Sequence, residues 1–78
     1  MKNLSKPQRK INGRKIFGGK VRAIRLSLRL TQEKLAERAE LHPTYIGSVE
    51  RGERNISLDN IISLAHGLQC SPKDLMPD

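Results

Sequence analysis

The stretch TQEKLAERAELHPTYIGSVERG, residues 31–52, contains two short helical patterns separated by only a few residues. Thr31 is a favourable N-cap for the first helix. Pro43 opens the second at a position that tolerates a missing N–H, and Gly52 is suited to end it. The apolar positions at helical spacing are Leu35, Ala36 and Ala39 in the first helix and Ile46 and Val49 in the second. The stretch therefore predicts two adjacent short helices that bury one face each.

The two helices are expected to cross at a steep angle. Ala36 is small enough for the next helix to approach closely, and Ile46 and Val49 can fold back over it, which is a helix-turn-helix arrangement. In that geometry the second helix of the pair projects from the body of the domain. Its outer N-terminal side is predicted to carry Pro43, Thr44, Tyr45, Gly47 and Ser48. Short polar and flat side chains at such a place can enter a major groove, so the pattern predicts binding to double-stranded DNA.

Helical periodicity extends in both directions from this stretch. Upstream, Phe17, Val21, Ile24 and Leu28 recur at spacings of four and three. Downstream, Ser57 caps a fourth helix with a broad apolar stripe, formed by Leu58, Ile61, Ile62, Ala65 and Leu68. The segment SPKDLM has the N-cap signature of a short fifth helix. No alternating strand pattern occurs, so the predicted fold class is all-α with five helices.

The positive charge lies at one end of the chain. The net charge is +7, yet residues 1–30 carry ten Lys or Arg and no acid, whereas residues 31–78 carry five bases and eight acids. Residues 1–16 are predicted to be a flexible basic arm, because they contain six bases, Pro7 and few apolar residues. Residues 17–78 are predicted to form the folded domain. The charge favours a nucleic-acid partner, and the alternative is a tail that only keeps the protein in solution.

Several classes of protein are excluded by the sequence. A single cysteine, Cys70, allows no internal disulfide, which suits a reducing cytoplasm. No apolar run approaches the length of a membrane span, and the N-terminus lacks a secretory signal. His42 and His66 have no metal-binding spacing, and neither a nucleophile motif nor a Gly-rich phosphate loop occurs. We therefore expect a cytoplasmic protein that is not an enzyme and has no cofactor, metal or membrane contact.

The segment LTQEKLAERAELHPTYIGSVERGERNISLDNIISLAHGLQCSPKDLM resembles the Cro/C1-type (XRE) helix-turn-helix repressors, and among them the controller proteins of restriction–modification systems. The resemblance spans residues 17–76 and implies a compact five-helix, lambda-repressor-like domain. It implies that Gln32 binds a phosphate and that Pro43, Thr44, Tyr45, Gly47 and Ser48 read bases. It further places Arg51, Arg54 and Asn55 at backbone phosphates and pairs Glu50 with Arg25 as a structural clamp.

The chain departs from the family pattern at three positions, of which Ile56, in place of a common Pro, is expected to be harmless. Glu40 stands where the family usually has Gly in the turn, which would strain a left-handed backbone. Pro43 stands where controller-like members often carry a base-reading Arg or Gln, so one specific contact is expected to be missing. Tyr45 is interpreted as a DNA contact, the alternative being a half-buried spacer.

The predicted function is that of a transcriptional regulator acting as a homodimer on a pseudo-palindromic operator. Helices four and five are expected to form the dimer interface, with Ile62, Leu68, Cys70, Leu75 and Met76 as its apolar residues. RNA polymerase and a toxin are further candidate partners. The alternative function is an antitoxin-type interaction module that binds a partner protein and regulates its own operon.

Overall fold

Five helical segments follow one another in the computed structural model, which describes residues 12–78. They are α1 (Gly13–Ser27), α2 (Gln32–Ala39), α3 (Pro43–Glu50), α4 (Leu58–Gly67) and a 3₁₀ helix (Pro72–Leu75). No strand occurs among these residues, and none of their helices is long and apolar enough to cross a membrane. The all-α prediction is confirmed, but the predicted fifth helix is a single 3₁₀ turn beside four α-helices.

The first helix begins earlier than the sequence predicted. The side chain of Asn12 accepts a hydrogen bond from the backbone N–H of Lys15 at 3.2 Å and so caps α1. Residues 13–16, which the sequence predicts to belong to the flexible arm, therefore form the first turn of α1. The rest of the predicted arm, up to residue 11, lies outside the described residues.

The core is built around α2. This helix packs against both α3 and α4, while α1 packs against α3 and the 3₁₀ helix closes over α1 and α4. The buried apolar side chains are Phe17, Val21, Leu35, Ala36, Ala39, Ile46, Val49, Leu64, Ala65, Leu68 and Leu75. Ala36 is only 1% exposed, in the helix that packs against α3.

The predicted dimer interface needs a correction. Leu68 and Leu75 are 1% and 0% exposed within a single chain, because the 3₁₀ helix folds back onto α4 and α1. Both residues belong to the core and are not available to a second copy. Cys70 is partly buried, and Ile62 and Met76 are exposed. The outer face of α4 also exposes Leu58, so its apolar stripe is only half covered.

All four α-helices end in the same way, with a left-handed residue. Arg29, Glu40 and Gln69 have φ values of 57–59°, and Gly52 has a φ of 78°. After each of these residues the next N–H bonds back to a carbonyl five residues earlier, as when Leu41 donates to Ala36 at 2.9 Å. These are Schellman motifs, in which Gly is the preferred left-handed residue. Only the end of α3 has that Gly.

Candidate nucleic-acid interface

The start of α3 is fixed by its own sequence. Nδ1 of His42 accepts a hydrogen bond from the backbone N–H of Thr44 at 3.1 Å, and Pro43 occupies the first turn. Thr44 is exposed and Pro43 is half-buried. Ile46 and Val49 are fully buried on the opposite side, as predicted. The N-terminal end of α3 thus presents Pro43 and Thr44 outward.

A buried ion pair holds the other end of α3. Arg25 donates from Nε to Oε2 of Glu50 at 2.6 Å and from Nη2 to Oε1 at 3.0 Å. The two side chains are only 9% and 3% exposed, and Nη1 of Arg25 also donates to the carbonyl of Leu30 at 2.8 Å. The hydrogen bond with Glu50 raises the pKa of Arg25, so the guanidinium stays charged. This bidentate pair clamps α1 to α3.

Gln32 joins the same carboxylate from α2. Its Nε2 donates to Oε1 of Glu50 at 3.1 Å, so one acidic side chain binds groups from α1 and α2. A Cβ added to Gly47 would lie 3.2 Å from Nη1 of Arg51 and 3.5 Å from Oε1 of Gln32. Gly47 is consequently covered by these two side chains and is not the open position that the sequence predicted. Its missing side chain lets Gln32 and Arg51 converge on the outer face of α3.

The sequence predicts that Ser48 lies on the outer side of α3, but the structure buries it. It is 5% exposed, and its hydroxyl donates to the carbonyl of Tyr45 at 2.7 Å. The same oxygen accepts a hydrogen bond from Nε of Arg54 at 2.9 Å. Because α3 turns Ser48 toward the loop that follows the helix, its hydroxyl supports that loop and is not accessible to a groove.

Tyr45 lies half-buried between α4 and the same loop. Its hydroxyl accepts a hydrogen bond from Nδ2 of Asn60 at 3.0 Å. The guanidinium carbon of Arg54 lies 5.4 Å from the centroid of its ring, within the range of a cation–π interaction. Asn55 is exposed in the loop. The contact with Asn60 was not predicted, because nothing in the spacing of the sequence indicates which residue of α4 faces Tyr45.

Arg51 makes an exposed ion pair just beyond α3. It donates from Nε and Nη2 to the two carboxylate oxygens of Glu53, at 3.0 and 3.2 Å. This hydrogen-bonded pair raises the pKa of Arg51 and lowers that of Glu53. Since both side chains are more than half exposed, a phosphate can compete with Glu53 for the guanidinium at little cost. Glu53 is a second residue whose role the sequence did not indicate.

Two further kinds of site, a metal centre and a reactive cysteine, find no support in the described part of the chain. No three His, Cys, Asp or Glu side chains are grouped so that they could hold a metal ion there. Burial raises the pKa of the Cys70 thiol, and the neighbouring Asp74 adds to the effect. The thiol is therefore less reactive than an exposed cysteine at neutral pH.

Known proteins resemble this chain in sequence and in fold. A family profile described as "Helix-turn-helix" matches residues 21–75. Control protein C.BamHI from Bacillus amyloliquefaciens is 54% identical over 66 residues, which cover 83% of this chain and 82% of that protein. Control protein C.SmaI from Serratia marcescens is 48% identical over 63 residues, covering 81% and 75%. The crystal structure of the restriction–modification controller protein C.AhdI from Aeromonas hydrophila superposes with a TM-score of 0.78 at 44% identity, covering 80% of this chain and 94% of that one.

Proposed function

This chain belongs to the XRE-type helix-turn-helix family that includes the restriction–modification control proteins, and on that premise we propose that it regulates transcription as a homodimer bound to a pseudo-palindromic operator. The observation that carries the proposal is that α3 is held by contacts at both of its ends. His42 caps one end of the helix and the Arg25–Glu50 pair holds the other. A helix fixed at both ends with an uncovered N-terminal face can enter a major groove without rearrangement.

The proposed contacts divide into two groups. Pro43 and Thr44 meet base edges: the hydroxyl of Thr44 can donate or accept, and the ring of Pro43 can pack on a thymine methyl. Phosphates are met by Gln32, Arg51, Arg54 and Asn55 on either side of α3. Tyr45 lies between the two groups. Gly47 has no side chain and so leaves room for Gln32 and Arg51. Ser48 holds Arg54 in place by accepting a hydrogen bond from it and does not itself contact DNA.

Selection of binding sites from random duplexes at a stated salt concentration tests the proposal. We expect a palindromic consensus, because the two copies of α3 in a dimer read half-sites ~34 Å apart. Thr44→Ala should relax the preference at one position of each half-site while the melting temperature stays at the wild-type value, since the side chain is exposed. Recovery of no consensus at any salt concentration would contradict the proposal.

The dimer contact is proposed for the outer face of α4. Leu58 and Ile62 lie one turn apart on this helix and are 69% and 50% exposed. Burying such apolar side chains against a second copy would stabilise both, which matters in a small domain. Ile62→Glu should therefore shift sedimentation from dimer to monomer and weaken operator binding. Leu26→Glu, at a position on α1 that is 48% exposed, is the matched control and should remain dimeric. Dissociation by both variants, or by neither, would exclude this face.

A further inference from the structure

Among the described residues, the hydroxyl of Tyr45 makes a hydrogen bond with Asn60 in which it is the acceptor. Nδ2 of Asn60 on α4 donates to it at 3.0 Å, so the phenol oxygen acts as the acceptor in that bond. An amide NH₂ group can only donate, and a phenol can donate one proton while it accepts another. The O–H proton of Tyr45 is therefore left for a different acceptor. No hydrogen bond within residues 12–78 uses it.

The ring that carries this hydroxyl is held on more than one side. Arg54 lies over the ring, and its Nε is anchored by Ser48 at 2.9 Å. Ser48 in turn donates to the carbonyl of Tyr45 at 2.7 Å. Asn60 is itself half-buried, and the backbone N–H of Asn60 is bound by the cap of α4, Ser57. The direction of the Tyr45 hydroxyl is thus set by α4 and the loop after α3.

We propose that Asn60 is a positioning residue for DNA recognition, which makes the Tyr45 hydroxyl a hydrogen-bond donor toward an acceptor on the operator. The proposal rests on the function proposed above. The acceptor is an oxygen or nitrogen of the DNA, either on a phosphate or on a base edge. In this proposal Asn60 does not touch the DNA itself. It affects operator binding by positioning the Tyr45 hydroxyl, so its effect should disappear when that hydroxyl is removed.

A double-mutant cycle between the two residues tests this dependence. Removal of a positioned hydrogen bond to DNA should weaken operator binding by about tenfold in Tyr45→Phe. Asn60→Ala should cause a large part of the same loss, and adding it to Tyr45→Phe should cause no further loss. If Asn60→Ala lowers operator affinity equally in the wild-type and Tyr45→Phe backgrounds, the role of Asn60 is merely structural and the proposal is overturned. Wild-type affinity of Asn60→Ala would overturn it as well.

Asn60→Asp tests the direction of the hydrogen bond. A carboxylate accepts the Tyr45 proton and so withdraws it from the DNA, although the geometry of the contact is kept. Operator binding should be weaker in this variant than in Asn60→Ala. The Tyr45→Phe background is the control, because only the effect of the added negative charge remains there. The two acceptors are distinguished by comparing selected and scrambled duplexes: loss on both identifies a phosphate, and loss on the selected duplex alone identifies a base edge.

A spectroscopic measurement separates failure of this inference from failure of the proposed function. Tyr45 is the only tyrosine and the chain has no tryptophan, so the near-ultraviolet absorption and the emission of the protein report on this ring. Asn60→Ala should shift the tyrosine absorption band of the free protein, whereas the matched variant Asp59→Ala should not. An unshifted band would overturn the inference even if the wild type binds its operator. A shifted band in a protein that selects no DNA site would instead refute the proposed function.

Discussion

Glu50 links α3 to two other helices. Its carboxylate accepts hydrogen bonds from Arg25 and from Gln32 while only 3% of the side chain is exposed. A buried charge of this kind is tolerable only as long as it is paired. The pair therefore contributes more to the placement of α3 than to the net stability of the domain.

Truncating either partner should be costly. We expect Arg25→Ala and Glu50→Ala each to lower the free energy of unfolding by ~3–5 kcal/mol, because each leaves one charge buried and unpaired. The double variant should lose less than the sum of the two. Urea denaturation measures all three, with Thr44→Ala as the control of unchanged stability. Wild-type unfolding curves for both single variants would show that the pair does not act as a clamp.

The residues with positive φ at the ends of the helices allow a second test of stability by single substitutions. Glu40 has a φ of 57°, so Glu40→Gly should raise the stability by about 1 kcal/mol as the Cβ strain is removed. Gly52→Ala should do the opposite, since its Cβ would lie 2.5 Å from Cγ and 2.9 Å from Cα of Lys15. Thermal melting compares the two. A lower melting temperature for Glu40→Gly would mean that the carboxylate makes a compensating contact.

At the scale of the helices, α1 and α3 are in unusually close contact at one glycine. A Cβ on Gly18 would collide with the backbone carbonyl oxygen of Val49 and lie 2.9 Å from that of Glu50. The next residue, Gly19, has nothing within 4 Å of its Cβ position. Two adjacent glycines of one helix thus differ in what they permit, and only Gly18 sets the distance between the helices.

This difference predicts opposite effects of the same substitution. Gly18→Ala should destabilise the domain by about 1–3 kcal/mol and weaken DNA binding, because backbone has to move and α3 moves with it. Gly19→Ala should be neutral or stabilising by up to about 1 kcal/mol, since Ala favours a helix interior over Gly. Chemical denaturation and operator binding of the two variants provide the comparison. Equal behaviour of the pair would contradict the close contact.

The helices could be predicted largely because their ends carry local signals. Thr31 and Ser57 cap α2 and α4 as the sequence indicated, and Pro43 begins α3. The sequence predicts Leu68 and Leu75 at the dimer interface, although both are buried in the core. The reason is that an apolar stripe does not reveal whether the same chain or a second copy covers it. The burial of Ser48 and the contact between Asn60 and Tyr45 depend on how the loop after α3 folds, and no periodicity encodes that.

At the scale of the whole molecule, the distribution of charge predicts how binding responds to salt. Residues 2–11 contain Lys2, Lys6, Arg9 and Lys10 and no acid. Deleting this segment leaves Asn12 in place to cap α1, whereas a longer deletion would remove the first turn of the helix. The truncated protein should therefore fold like the full chain.

Removal of residues 2–11 should weaken DNA binding and reduce its salt dependence. The slope of log affinity against log salt is negative, and it should become shallower by about 0.9 for each phosphate that is no longer neutralised. The order of preferred sites should not change, because we expect these Lys and Arg residues to neutralise phosphates and not to read base edges. Titrations at several salt concentrations with selected and scrambled duplexes measure both quantities. An unchanged slope would identify the segment as a solubilising tail.

The carboxylate of Glu50 also determines how the native protein fluctuates. Because it joins side chains of α1, α2 and α3, α3 cannot detach alone without leaving a buried charge unpaired. Amide protons in these three helices should consequently exchange with solvent through one shared opening, whose free energy approaches that of complete unfolding. In the proposed complex the operator meets a surface that is already ordered, so we expect association to require no folding step and its rate to be governed by diffusion and electrostatic attraction.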